Sequence, residues 1–362
     1  MKKLLGLLGL IVAIVVAGGI SVGITDYDFG ELFNEKEPST PSSSVSGDWY
    51  DVYFVPNVDP GEDGVEKLLI DLIDSAKESV CAAVHDINVE SITTAFIDAS
   101  NRGINVQVVM EKDYSDPEEH AHSAAQYSRL DALGLVKTDD RGALMHNKFV
   151  VVDDKTVWTG STNLTDRGVN HNNNNVIVIE STELAQNFTI EFNEMWNGEF
   201  GITSPTDTPY PKLSLDGTIV ECYFAPEDAV EDKIVEALQQ AQNSIYFATF
   251  TFTSDPIEEI LLSKDQQGVE IGGIYETRQK SAYWSYDALY DTGIPVITDD
   301  SGYTMHHKFF IIDEETVITG SFNPTNNANK NNDENILIIH NSDIAEAFYN
   351  EYNRMWNEWN ED

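Results

Sequence analysis

The sequence is short of positive charge. Its 362 residues carry 21 Lys and Arg against 62 Asp and Glu, a formal net charge of −41. This shortage excludes nucleic-acid binding through a general basic field, because that binding depends on cations that neutralise phosphates. It also sets the chain against anionic membrane surfaces at low salt. The acidity reads as adaptation to a salty milieu, where a short Debye length screens self-repulsion. Cysteine is nearly absent. Cys81 and Cys222 lie in separate apolar runs without metal-ligand spacing, and they read as buried thiols rather than a disulfide. Beyond residue 24 no stretch is long and apolar enough to span a bilayer.

What is present starts at the amino terminus. Lys2 and Lys3 precede an uncharged apolar run from Leu4 to Ile24. A positive start followed by such a run is an export-type segment, and its 21 residues suffice to cross a membrane as a helix. Residues 1–25 are therefore expected to be an uncleaved anchor, with a removed signal peptide ending at Val15-Val16-Ala17 as the alternative. Either places the rest outside the cytoplasm, anchored to the cell membrane or secreted. Residues 26–47 are acidic and then rich in Ser and Pro, which suits a flexible tether.

From Asp48 the chain repeats itself. Tyr53-Phe54-Val55-Pro56 matches Tyr223-Phe224-Ala225-Pro226. An amphipathic segment follows each: Val65, Leu68, Leu69, Leu72, Ile73 and Ala76 recur at helical spacing, as do Val230, Ile234, Val235, Leu238 and Ala241. Apolar strands come next, at Ser79–Val84 and Ser244–Thr249, then second helices ending at Gly103 and Gly268, and strands at 104–110 and 269–275. Each copy closes on an aromatic helix, Glu191–Trp196 and Glu351–Trp356. Alternating strands and helices predict an α/β fold with a mixed or mostly parallel sheet. The expected domains are 48–200 and 217–362, joined by a Pro- and Thr-rich linker at 201–216 and packed as pseudo-twofold partners.

The chemistry lies in a doubled constellation. The first copy reads Met145-His146-Asn147-Lys148, then Asp153, then Gly160-Ser161-Thr162-Asn163; the second reads Met305-His306-His307-Lys308, then Asp313, then Gly320-Ser321-Phe322-Asn323. The spacing from His to Asn is the same in both. His and Lys two apart on a strand share a face. Lysine offers a compact cation, Asn and Ser offer neutral hydrogen bonds to oxyanions, and histidine serves as nucleophile or general acid. Together these groups suit one phosphate.

This doubled His-x-Lys-x4-Asp-x6-Gly-Ser-x-Asn pattern resembles the phospholipase D superfamily, over nearly all of residues 48–362. The resemblance implies two tandem mixed-sheet domains sharing one active site. It implies a covalent phosphohistidine and neither metal nor cofactor. His146, Lys148, Asn163, His306, Lys308 and Asn323 would surround the phosphate, with Ser161 and Ser321 at the family's serine position. Asp153 and Asp313 would give structural support. Family members often carry an acidic residue eleven positions after the motif Asn, where it orients the histidine. Glu334 stands there in the second copy and Asn174 in the first. Glu334 is accordingly expected beside His306, favouring its protonated form and making it the acid, with His146 as the nucleophile.

The remaining histidines, His85, His120, His122 and His171, share no spacing, and His120-Ala121-His122 reads as a surface loop. His307 should point to the strand face opposite the motif. Tyr283, Trp284 and Tyr286 are candidates for the mouth of the site or for a core helix, and Asn323–Asn335 for a solvated loop that places Glu334. The anchor and the acidity favour a phospholipid substrate, with hydrolysis if water completes the reaction and phosphatidyl transfer if an alcohol does. The alternative is an exported nuclease whose groove uses Lys112, Arg141, Arg278 and Lys280. An internally doubled site has no need of a dimer, so a monomer is expected.

Overall fold

A computed structural model describes residues 44–56, 64–279 and 285–360. The expected anchor and most of the tether lie outside the described residues, as do Lys280, Tyr283 and Trp284. Among the described residues no helix is long and apolar enough to cross a membrane.

Each repeat builds an eight-stranded sheet of the same topology. The first contains β1 (Val45–Ser46), β2 (Tyr50–Val55), β3 (Ser79–Val84), β4 (Asn105–Glu111), β5 (Val136–Asp139), β6 (Lys148–Val152), β7 (Thr156–Gly160) and β8 (Asn174–Glu180). The second contains β9 (Lys212–Leu215), β10 (Thr218–Ala225), β11 (Ser244–Thr249), β12 (Glu270–Tyr275), β13 (Val296–Thr298), β14 (Lys308–Ile312), β15 (Thr316–Gly320) and β16 (Glu334–His340). The orders are β1-β2-β8-β7-β6-β3-β4-β5 and, read from the other edge, β9-β10-β16-β15-β14-β11-β12-β13. β3, β4 and β5 run parallel, as do β11, β12 and β13, while the motif strands β6 and β14 pair antiparallel to β3 and β11. The sheets are therefore mixed, as the family resemblance implied; the alternation of elements alone had left a mostly parallel sheet open.

Side-chain alternation along the central strands assigns each residue to one of two cores. Val80, Ala82 and Val84 of β3 and Val150 and Val152 of β6 pack beneath the helices Val65–Ser75 and Glu90–Asn101. Cys81, Ala83, Phe149 and Val151 face the other way, into a core that both repeats share. The closing helices, Thr182–Trp196 and Ser342–Trp359, lie in this shared core. Ser181 and Asn341 cap them, accepting from Leu184 N at 3.2 Å and Ile344 N at 3.0 Å. Each closing helix reaches into the opposite repeat: Phe188 meets Phe224 at 5.1 Å between ring centroids, and Phe348 meets Phe54 at 5.0 Å. Burying a Phe contributes about 2–3 kcal/mol, so these reciprocal rings weld the halves. Both cysteines are buried and free, as expected.

The halves also exchange backbone bonds at the motifs. His146 N donates to Asp333 O (2.9 Å) and Asp333 N to Leu144 O (3.0 Å). The matching pair is His306 N to Asn173 O (2.8 Å) and Asn173 N to Thr304 O (2.9 Å). The start of each last strand is thus stitched beside the other half's histidine.

Candidate active site

That stitching decides which residue meets which ring. His146 Nδ1 contacts Glu334 Oε2 at 2.7 Å, and His306 Nδ1 contacts Asn174 Oδ1 at 2.9 Å. The expectation that Glu334 serves His306 is overturned: each orienting residue reaches across to the other half's histidine. The cause is backbone register, since β8 and β16 begin where they cross to the opposite motif. Serine is corrected too. Ser161 Oγ donates to Asn174 Oδ1 (2.9 Å) and Ser321 Oγ to Glu334 Oε2 (2.7 Å), and each accepts a backbone N–H, from Asn175 and Asn335 (both 3.0 Å). Both hydroxyls are buried and hold the orienting side chains, so they are not turned to an oxyanion. The preceding glycine permits this. A Cβ on Gly160 would stand 2.3 Å from Asn175 O, and one on Gly320 2.2 Å from Asn335 O, both at positive φ.

Lys148 and Lys308 are buried, and each Nζ donates to the carbonyl of its own motif histidine, His146 or His306, at 2.7 Å. Burial lowers the Lys148 pKa to about 7, against the pull of Glu334 and Asp86. Lys308 is lowered well below its ordinary value by burial and by Lys148. Burial and the two lysines also hold both histidines well below their ordinary pKa. Burial pushes Glu334 up to about 7, with Lys148 opposing. For the His146–Glu334 pair the dominant effect is loss of water from a site holding two lysines. A neutral imidazole that donates Nδ1–H to Glu334 satisfies both groups and leaves Nε2 bare. Asn163 Oδ1 and Asn323 Oδ1 are buried and make no hydrogen bond.

Asp153 and Asp313 lie elsewhere. Asp153 accepts the N–H groups of Lys77, Glu78 and Ser79 (2.7–3.1 Å); Asp313 accepts those of Gln242, Asn243 and Ser244 (2.6–3.1 Å). Both hold the entry to a central strand. The Asn-rich stretch is not a solvated loop throughout. Residues 326–330 form a helical turn capped by Thr325, and Asn332, Asp333, Glu334 and Asn335 are buried. His307 is buried between Asn175 (3.3 Å) and Glu351 (3.2 Å). His171 stacks on Tyr303 across the halves at 4.6 Å. Tyr286 packs partly buried on the second repeat's own core. Among the described residues, no group of three His, Cys, Asp or Glu converges as a metal site.

Two features escape the sequence reading. Glu111 and Glu276 accept the backbone N–H of Met145 and Met305, each at 2.7 Å, and so fix the residue before each histidine. Both follow the parallel strand, Glu111 as its last residue and Glu276 just beyond it, and an acid at the end of matching apolar runs was the available signal. His85 lies against His146, with ring centroids 4.8 Å apart.

A family profile described as "Cardiolipin synthase, PLD-like domain" matches residues 69–196 and 234–356. The chain belongs to this family. A protein named phospholipase D from Rickettsia bellii is 31% identical over 185 residues, which is 47% of this chain and 86% of that protein. A mitochondrial cardiolipin hydrolase from Xenopus laevis is 33% identical over 139 residues, 38% of this chain and 66% of that protein. The solved phosphatidylserine synthase of Haemophilus influenzae has the same fold, with a TM-score of 0.62 at 15% identity over 88% of each chain. This member of the phospholipase D superfamily is thus a hydrolase of the phosphodiesterase type, with its two motif histidines in one buried site.

Proposed function

We propose that the chain cleaves phospholipid head groups through a phosphohistidine on His146. The reciprocal tie of Glu334 to His146 and Asn174 to His306 carries this reading. Attack by Nε2 on phosphorus builds positive charge on the attacking ring. A carboxylate at Nδ1 stabilises that charge and an amide does not. In the first step the His146 Nε2–P bond forms and the P–O bond to the alcohol breaks. The anionic phosphodiester, once bound, offsets the two lysines and favours the protonated form of His306, whose imidazolium then gives its Nε2 proton to the departing oxygen. In the second step neutral His306 takes a proton from water, the new oxygen bonds phosphorus, and the N–P bond to His146 breaks. An alcohol in place of water makes the reaction a phosphatidyl transfer. Lys148 and Lys308 hold the phosphate oxygens, supplying charge where it develops.

The choice of lipid rests on several supports. The family and the relatives carry lipid names. Among the described residues, the three basic candidates for a nucleic-acid groove are engaged already: Lys112 by Asp140 (2.6 Å), Arg141 by Asp139 (2.8 Å) and Asp333, and Arg278 by Glu276 (3.4 Å) and by backbone carbonyls. The apolar run at residues 4–24 would hold the domain at a membrane, outside the cytoplasm. The full-length chain should be incubated at high and low salt with phosphatidylcholine vesicles and a primary alcohol, and in parallel with single-stranded DNA. Release of choline, loss of that activity in His146→Ala, and a phosphoryl adduct on His146 are expected. DNA cleavage without choline release overturns the lipid reading, and an adduct on His306 overturns the division of roles.

A further inference from the structure

The first residue after β3 is His85, and the first after β11 is Phe250. The two do the same thing with their backbones. His85 N donates to Asn147 O at 3.1 Å, and Phe250 N to His307 O at 2.9 Å, so each is tied to the residue between its motif His and Lys. Their side chains then meet the motif histidines in matching fashion. The His85 ring lies 4.8 Å from the His146 ring at 70°, and the Phe250 ring lies 4.8 Å from the His306 ring at 63°. Both repeats thus place a flat ring edge-on to the motif imidazole, although one ring is polar and the other is not. Shape is what the two positions share.

The imidazole adds a second tie. His85 Nδ1 lies 3.1 Å from Met145 O, and a carbonyl only accepts, so Nδ1 carries the proton. Burial, then the neighbouring His146 and Lys148, hold His85 well below the ordinary histidine pKa. It therefore stays neutral, and adds no further cation beside Lys148 and Lys308. Tyr114 packs on His85 at 4.9 Å and 78°, and His120 on Tyr114 at 4.6 Å. His146 is thus held at Nδ1 by Glu334 and on its ring by His85, which is itself backed by Tyr114.

We infer that His85 is a positioning residue that braces the His146 ring so that Nε2 stays in line with phosphorus. This rests on the proposed role of His146 as nucleophile. Attack needs aligned orbitals, and an error of about 1 Å in placement costs about 10²-fold in rate. A ring held only through Nδ1 can still swing about that hydrogen bond, and a packed neighbour removes that freedom.

The test uses the full-length chain and bis(p-nitrophenyl) phosphate, a phosphodiester that commits to neither lipid nor nucleic acid. His85→Ala should lower kcat by about 10- to 100-fold with KM nearly unchanged. His85→Phe, the residue the second repeat itself uses, should recover most of that loss. Thermal unfolding separates this from a filling role, in which both variants lose stability but keep their kcat per folded molecule. An unchanged kcat in His85→Ala overturns the brace, and so does a His85→Phe as slow as His85→Ala. A readout without turnover is the proton resonance of His146 Nδ1 in its bond to Glu334. It should persist in the parent and His85→Phe and be lost to exchange in His85→Ala; equal behaviour in all three overturns the brace. A parent chain that cleaves no diester but shows that resonance pattern sinks the proposed function and leaves the brace standing.

Discussion

At the scale of single residues, the site turns on one difference between otherwise matching positions, Glu334 against Asn174. The carboxylate faces His146 at 2.7 Å and the amide faces His306 at 2.9 Å. Glu334→Gln keeps the hydrogen-bonding shape but removes the charge that offsets a positive ring. We expect kcat to fall by about 10²-fold or more, in keeping with the contribution of a well-oriented base, and the phosphoenzyme to form slowly in rapid-quench experiments. Unchanged phosphoenzyme formation would show that the carboxylate is dispensable. The lysines set the pH dependence. Lys148 is lowered to about 7 by burial. As pH rises through 7 it loses its charge, so kcat/KM should fall on that side. A bound phosphodiester returns an anion to the lysine and favours its charged form. The alkaline limb of kcat should therefore lie at higher pH than that of kcat/KM, and coincident limbs would refute this. The motif His, Lys and Asn were legible in the sequence because their spacing recurs. The identity of each ring's partner was not, because eleven residues along the chain say nothing about crossing to the other repeat. His85 and Phe250 were invisible as a pair because only their shape is shared.

At the scale of elements, the alternation of strands and helices was legible in the repeated apolar runs, but the order of strands within each sheet was not. Strand entry was not, because it depends on a carboxylate far away in sequence. Asp153 is such a device. Burial would raise its pKa, but the N–H groups of Ser79, Glu78 and Lys77 outweigh this and lower it. A lowered acid contributes stability that is present above its unfolded pKa and is lost as pH falls through the folded value. Asp153→Asn suits the test because Asp153 sits at φ 53, a conformation that Asn tolerates. The variant should cost about 1–2 kcal/mol near neutral pH, the scale of hydrogen bonds to a charged acceptor. The cost should shrink as the parent is acidified. A denaturant midpoint that does not move at pH 7 would show that the β3 entry holds without it. Activity should follow stability only, since Asp153 lies away from the histidines.

At the scale of the molecule, the two halves neutralise their buried acid differently. In the second repeat Glu351 is paired with Arg354 at 2.8 Å and lowered to about 2: burial opposes this, but Arg354 outweighs it. In the first repeat the matching helix positions are Glu191 and Glu194, with no arginine. Burial, then Glu227, Asp333 and Glu194, push Glu191 well up. Burial, then Asp207, pushes Glu194 to about 9. Glu194 Oε2 is buried without a hydrogen bond. A raised acid holds a proton in the folded state that the unfolded chain gives up. Its stabilising effect is full below the ordinary Glu pKa of about 4.3 and is lost as pH rises towards the folded value. The chain as a whole, at −41, repels itself more as the remaining protons leave. The unfolding temperature should therefore fall between pH 6 and pH 9 at fixed salt, and added salt should raise it by screening. Salt acts on the global charge, whereas the slope with pH belongs in part to one side chain. Glu194→Gln should thus flatten that slope at every salt concentration, while Glu351→Gln, whose parent acid stays ionised throughout this range, should leave the slope alone and lower stability uniformly by removing a buried partner of Arg354, which keeps Glu358 (3.1 Å) and Asn173 (2.8 Å). A Glu194→Gln curve parallel to the parent's would place the alkaline sensitivity in the surface charge instead.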